Sequence, residues 1–152
     1  MGAASFRSIN TGDTAADAYD QAVAEAQHEY GHGGYTGTIA EKDGFILVPL
    51  PAGVDAEAVV SALALAQFAN SDYATDQEEA AVATAFLAQH FGHAKSERAR
   101  LLNAEKMQDT YLNKWGPALC FKLTPTEAAE HNILINMIPH KNVYMFAGYA
   151  SE

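Results

Sequence analysis

Gln27 to Lys42, QHEYGHGGYTGTIAEK, is where the chain changes character. Upstream of it apolar residues recur with a helical period. Within it the four glycines Gly31, Gly33, Gly34 and Gly37 interrupt the pattern, and from Thr36 onward polar and apolar residues alternate as in a strand. The stretch therefore reads as the end of a helix, a tight turn and the start of a sheet, and the rest of the chain is placed from it.

Working back, Thr14 to Tyr30 is predicted to be helical. Thr14 and Asp17 form a capping-box-like start, and Ala15, Tyr19, Ala22, Val23, Ala26 and Tyr30 make one apolar stripe. Gly31, Gly33 and Gly34 end it. Before the helix, Ala4 to Ile9 reads as a short strand with Phe6 and Arg7 on opposite faces. Working forward, Thr36–Ala40 and Phe45–Leu50 read as a hairpin closed by Glu41-Lys42-Asp43-Gly44. The second of these strands is apolar on both faces, which places it inside the sheet, although Pro49 marks its end or an edge.

From about residue 53 to 114 the chain becomes helical in period: Asp55–Asn70, Asp76–His90 with Thr75 and Glu78 as a capping box, and Ser96–Lys114. Val59, Val60, Leu63 and Phe68 are expected to pack against Val82, Phe86 and Leu87 as a helical hairpin. The sheet then resumes with the alternation of Leu119, Phe121 and Leu123. A helix start follows at Thr124-Pro125-Thr126-Glu127, and Val143–Tyr149 is the last strand. The expected fold is α+β: one domain over 1–152, with an antiparallel sheet of four or five strands, a packed N-terminal helix and a helical insertion at about 53–114.

The chain has 152 residues, 49% of them hydrophobic, which suffices for one core without disulfides. Cys120 is the single cysteine and fits a reducing cytosol. No charged leader opens the chain, and no apolar run approaches the ~20 residues of a membrane span. A cytoplasmic location without membrane contact is expected. The net charge of -10 is uneven: residues 1–79 carry 13 acidic and 2 basic side chains, residues 80–152 carry 6 and 7. Such a field disfavours duplex DNA or RNA and suits a basic protein partner or mimicry of DNA; the plainer reading is a solvated acidic surface.

Four blocks carry a resemblance. The segment GHGGYTGTIAEK (Gly31–Lys42), the opening MGA followed by Phe6, the segment KWGPALC (Lys114–Cys120) and the closing Phe146-Ala147-Gly148 resemble a family of small uncharacterised proteins of tailed phages and prophages. The resemblance covers the two ends of the chain and leaves out the helical insertion. It implies a phage or prophage accessory protein acting in the host cytoplasm.

Two motifs within the opening stretch bear on chemistry. His28, Glu29 and His32 spell H-E-x-x-H, which on a helix sets two imidazoles one turn apart beside a carboxylate, as zinc hydrolysis requires. His28 and His32 would hold the metal and Glu29 would deprotonate its water. A third ligand would come from His90, His93, His131, His140 or a carboxylate. At ~100° per residue the two histidines point away from the apolar stripe, and the plainer reading is two solvated imidazoles at a helix C-terminus. The second motif is the turn itself, where Gly33, Gly34 and Gly37 would let backbone approach a ligand and Tyr35, Thr36, Thr38 and Lys42 would stack on a base or bond phosphate. No G-x-x-x-x-G-K-[ST] is present, and a helix-to-strand connection needing left-handed backbone is the plainer reading. Trp115, before Gly116-Pro117, is expected in the core, as is Cys120.

These observations favour a non-catalytic accessory protein that needs no cofactor. It would bind a host or phage component, either a basic protein surface or a small nucleotide at the Gly31–Lys42 turn. The alternatives are a small zinc hydrolase and a minor virion or assembly component.

Overall fold

The computed structural model describes residues 2–91, 97–133 and 142–152. In chain order the elements are β1 (Ala3–Gly12), α1 (Ala15–Tyr30), a 3-10 turn (Ile39–Glu41), β2 (Phe45–Leu47), α2 (Ala56–Ala66), α3 (Ala74–Phe91), α4 (Glu97–Leu112), β3 (Ala118–Lys122), α5 (Pro125–Glu130) and β4 (Asn142–Ser151). The fold is α+β. The chain divides into two compact units, Met1–Leu50 with Thr110–Glu152, and Pro51–Asp109.

The first unit holds a four-stranded sheet of order β1-β4-β3-β2. The strand β4 lies antiparallel to β1, from Ala3 opposite Ser151 to Gly12 opposite Asn142, and antiparallel to β3. The sheet is mixed where an antiparallel one was expected, because β2 pairs with β3 in parallel, Phe45 opposite Ala118. The cause is the connection. A parallel neighbour needs a long crossover, and the helical segment between Leu47 and Ala118 supplies one. The strand β2 lies at the edge of the sheet and not inside it as its apolar sequence suggested, and Ile46 and Leu47 are about half exposed there. The central β4 is buried almost throughout, as a strand covered on both faces must be.

One face of the sheet is covered by α1. Its buried residues Ala18, Ala22 and Ala26 are small, so the helix lies close over Cys120, Tyr144 and Phe146. Tyr19, Phe45 and Phe146 form an aromatic triangle with centroids 5.2, 5.8 and 5.9 Å apart. Strand alternation sends Leu119, Phe121, Val143, Met145 and Ala147 to the other face, where all are buried. Burying each of the larger side chains contributes roughly 2–3 kcal/mol. The start of α1 is as the sequence indicates: Thr14 Oγ1 accepts the Asp17 backbone N–H at 3.2 Å. Gly12 makes the turn into it, since a Cβ there would lie 2.6 Å from the Ala18 nitrogen.

The predicted strand Thr36–Ala40 does not form. Gly34, Tyr35 and Gly37 take positive φ values of 78°, 55° and 71°, which an extended strand excludes, and Ile39–Glu41 close a 3-10 turn. Tyr30, at the end of the predicted stripe, is exposed, and Ala18 takes its place in the core.

In the second unit α2 and α3 bury Val59, Val60 and Leu63, and Ala80, Ala83 and Leu87, respectively. The buried face of α3 is thus offset from the predicted one: Val82 is 72% exposed, Phe86 is half-buried against the His90 ring, and Phe68 is exposed. The α3 start differs too. The helix begins at Ala74, where Ser71 Oγ accepts the Tyr73 N–H and donates to Asp76, so Thr75 and Glu78 fall inside the helix and not at its boundary.

Candidate functional site

The Gly31–Lys42 turn is folded around its own polar groups. Gly31, at φ 86°, caps α1 with its N–H on the Gln27 carbonyl. Glu41 Oε2 accepts both the Thr36 backbone N–H (3.1 Å) and the Thr36 hydroxyl (2.6 Å). With that proton committed, the Thr38 hydroxyl donates to Thr36 Oγ1 at 2.8 Å, while Thr38 Oγ1 accepts the Ala40 N–H. Gly37 donates its N–H to the Ser151 carbonyl at 2.8 Å and is held so close that a Cβ would lie 3.1 Å from that of Ala4. The hydroxyls of Thr36 and Thr38 are therefore spent inside the turn. Gly33, Gly34 and Tyr35 face outward, with open space where a Cβ on either glycine would lie.

Lys42 is buried, with 7% of its surface exposed. Its Nζ donates to the Asn113 carbonyl at 2.7 Å, just past the end of α4, where a cation also suits the helix dipole. Burial lowers its pKa from 10.5 to about 8, against a smaller opposing effect of Asp43. Asn113 Oδ1 in turn accepts the N–H groups of Trp115 and Gly116. These bonds bring Tyr35 and Trp115 edge to face at 6.4 Å, with the Lys114 ammonium 5.3 Å over the Trp115 ring. Trp115 is thus 55% exposed and not in the core, because Asn113 ties its backbone into a surface turn. The four blocks that carry the resemblance converge here: Gly37 lies on Ala4, and Gly148 is close to Phe6 and Lys42. Trp115 and Lys114 are the residues that sequence reasoning did not place beside Tyr35. The available signal was that their block and that of Tyr35 carry the same resemblance.

The H-E-x-x-H geometry does not form on a helix. The helix α1 ends at Tyr30 and Gly31 turns the chain, so His32 lies beyond the last turn and does not stack one turn above His28. His28, Glu29 and His32 are all exposed. Among the described residues no three His, Cys, Asp or Glu side chains gather into a metal-binding group; His93 and His140 lie outside the described residues. Cys120 is fully buried and burial raises its thiol pKa to about 12, which removes it as a nucleophile at neutral pH.

The acidic surface is ordered along α1. Asp17, Asp20, Glu25 and Glu29 are exposed, and the helix carries no Lys or Arg. Glu25 is fixed over the sheet: its Oε2 accepts from Asn10 Nδ2 at 2.8 Å and its Oε1 from Gln21 Nε2 at 3.3 Å, and Ser8 Oγ donates to Asn10 Oδ1. Between α1 and β1 lies a cleft of about 350 Å³, lined by Ser5–Ser8 on the strand and by Glu25 and Glu29 on the helix.

Comparison of the chain with family models, with curated proteins and with solved structures finds no match. No helix among the described residues is long and apolar enough to cross a membrane.

Proposed function

We propose that this chain is a non-catalytic, phage-type accessory protein that binds a basic segment of a host or phage protein on the exposed side of α1. The observation that carries the reading is the helix itself. Four exposed carboxylates and no Lys or Arg make the solvent side of the helix acidic, and one carboxylate is held in place by the strand beneath. Charge complementarity of this kind speeds encounter and selects basic partners. The zinc-hydrolase reading draws no support from the site, because His32 is not in helical register with His28.

The test is binding of a lysine–threonine repeat peptide at several salt concentrations. Reversing Asp17, Asp20 and Glu29 to lysine is expected to weaken binding by ~10-fold or more and to flatten its salt dependence. The same reversal at the exposed Asp72, Glu78 and Glu79 of the helical unit should do far less. Equal effects from the two sets would mean that only net charge matters and would sink the reading. Folding stability should shift by less than ~1 kcal/mol. The α1 cap survives because Thr14 bonds the Asp17 backbone and not its side chain.

A second reading is favoured by Tyr35, Trp115 and Lys114, an exposed aromatic pair with a cation, which would suit stacking on a nucleotide base. Trp115 is the sole tryptophan, so its fluorescence would report such a ligand directly. No change on titration with nucleotides up to millimolar concentration would remove this reading.

A further inference from the structure

In an antiparallel pair, residues alternate between bonding the neighbouring strand and turning N–H and C=O the other way. The Glu152 N–H bonds the Gly2 carbonyl, and in the continuous register of Ala3 with Ser151 this assigns the even-numbered residues of β1 to β4. The odd-numbered residues then present their backbone to the outer edge of the sheet. Among the described residues, the outward N–H and C=O groups of Ala3, Ser5, Ile9 and Thr11 meet no partner. Sheet edges are ordinarily blunted by proline, lysine, a bulge or shortness. Here the strand is ten residues long, carries no Pro or Lys and one charged residue, Arg7, and pairs one to one from Ala3 to Gly12 without a bulge. Alongside this edge runs the cleft whose helical side is Glu25 and Glu29.

We propose that the outer edge of β1 accepts an extended basic segment of the partner as an antiparallel fifth strand, with its basic side chains over Glu25 and Glu29. This rests on the acidic-face reading above and specifies how the partner is held. The even-numbered Phe6 and Asn10 face α1, as the Asn10–Glu25 bond shows, so Arg7 and the other odd-numbered residues face away from it. Partner residues directly opposite Ser5 and Ile9 lie on that far face and turn their N–H toward β1. The residues between them lie on the α1 side, reach the carboxylates, and turn their N–H to solvent. A second copy of this chain is a poor occupant, because it would bring its own Glu25 and Glu29 and a net charge of -10 to the same edge.

The alternation makes the test specific. Three forms of a decapeptide alternating lysine and threonine are compared on the full chain: unmodified, N-methylated at every threonine, and N-methylated at every lysine. All carry the same charge. Methylating the threonines removes the N–H groups that face β1 and is expected to weaken binding by ~10-fold or more, since several backbone bonds are lost together. Methylating the lysines should change it by less than ~3-fold. Amide hydrogen exchange should show Ala3, Ser5, Ile9 and Thr11 gaining protection only with peptides that bind. If both methylated peptides bind like the unmodified one, the added strand is wrong and the acidic face stands alone. Failure of the unmodified peptide to bind overturns both. Weakening by the lysine set alone overturns the placement of basic side chains over Glu25 and Glu29. A dimer in the absence of peptide, with the same amides protected, would give the edge to a second copy and overturn the basic occupant.

Discussion

The strands β1 and β2 close the two ends of one sheet, yet β1 runs ten residues in unbroken register whereas β2 runs three before Pro49 and Pro51. The Ala118 N–H bonds the Gly44 carbonyl and the Val48 N–H the Cys120 carbonyl, so the even-numbered residues serve β3, and Pro49 and Pro51 fall at outward-facing positions, where they leave the edge without donors. The short strand cannot template another chain even though Ile46 and Leu47 are half exposed. The long one can. The two edges are also held differently. Paired residues along its whole length hold β1, while β2 leans on an anchor outside its ladder, the Lys42–Asn113 bond that ties the approach to β2 to the approach to β3. Exposure of apolar side chains is therefore the wrong guide to which edge accepts a partner; the state of the backbone donors decides.

The largest effect expected from breaking this arrangement is at Phe6. Its N–H belongs to the β4 ladder and its ring packs over Gly148, so Phe6→Pro should cost about 4 kcal/mol in urea unfolding. Next comes the β2 anchor. Lys42 has a folded-state pKa of about 8 against 10.5 in the unfolded chain, so between these values the unfolded state binds more protons and stability rises with pH. Cys120, raised from 9.0 to about 12, acts in the opposite direction above pH ~9. The rise is therefore confined to about pH 8–9, where it should amount to about 1 kcal/mol in chemical unfolding. Lys42→Met should abolish it; a rise that persists in that variant would assign it to another group. Ser5→Pro should be milder, about 1 kcal/mol, because the Ser5 N–H faces outward, and it should abolish binding of the lysine–threonine peptide. Equal losses from Phe6→Pro and Ser5→Pro would mean that the parity of the β1 ladder is misassigned.

The legible parts of this fold are those with local causes. Thr14 and Thr124 each cap their helix by accepting the N–H three residues on, Asp17 and Glu127 respectively, and both starts can be read from the sequence. The alternation of Leu119, Phe121 and Leu123 likewise survives folding. The alternation of Thr36, Thr38 and Ala40 looks the same on paper and means something else. There the positive φ of Gly34, Tyr35 and Gly37 and the pull of the Glu41 carboxylate on Thr36 decide the backbone, and neither is visible in a period of two. The parallel pairing of β2 and Trp115's place beside Tyr35 depend on residues about seventy or more positions apart in sequence, which local patterns do not carry. Of the candidate site, the outward direction of His28 was legible. The inward use of Thr36, Thr38 and Lys42 was not, because it depends on which partner each polar group finds.

Cys120 sits in β3, opposite Leu47 on one side and Phe146 on the other, with no exposed surface. A thiol-specific reagent can reach it only when the sheet parts. The rate at which the chain takes up one label per molecule is thus a clock for opening of its centre, independent of anything bound at the rim. A strand added along β1 should slow that clock if the sheet opens as a unit, and leave it unchanged if β2 peels away first.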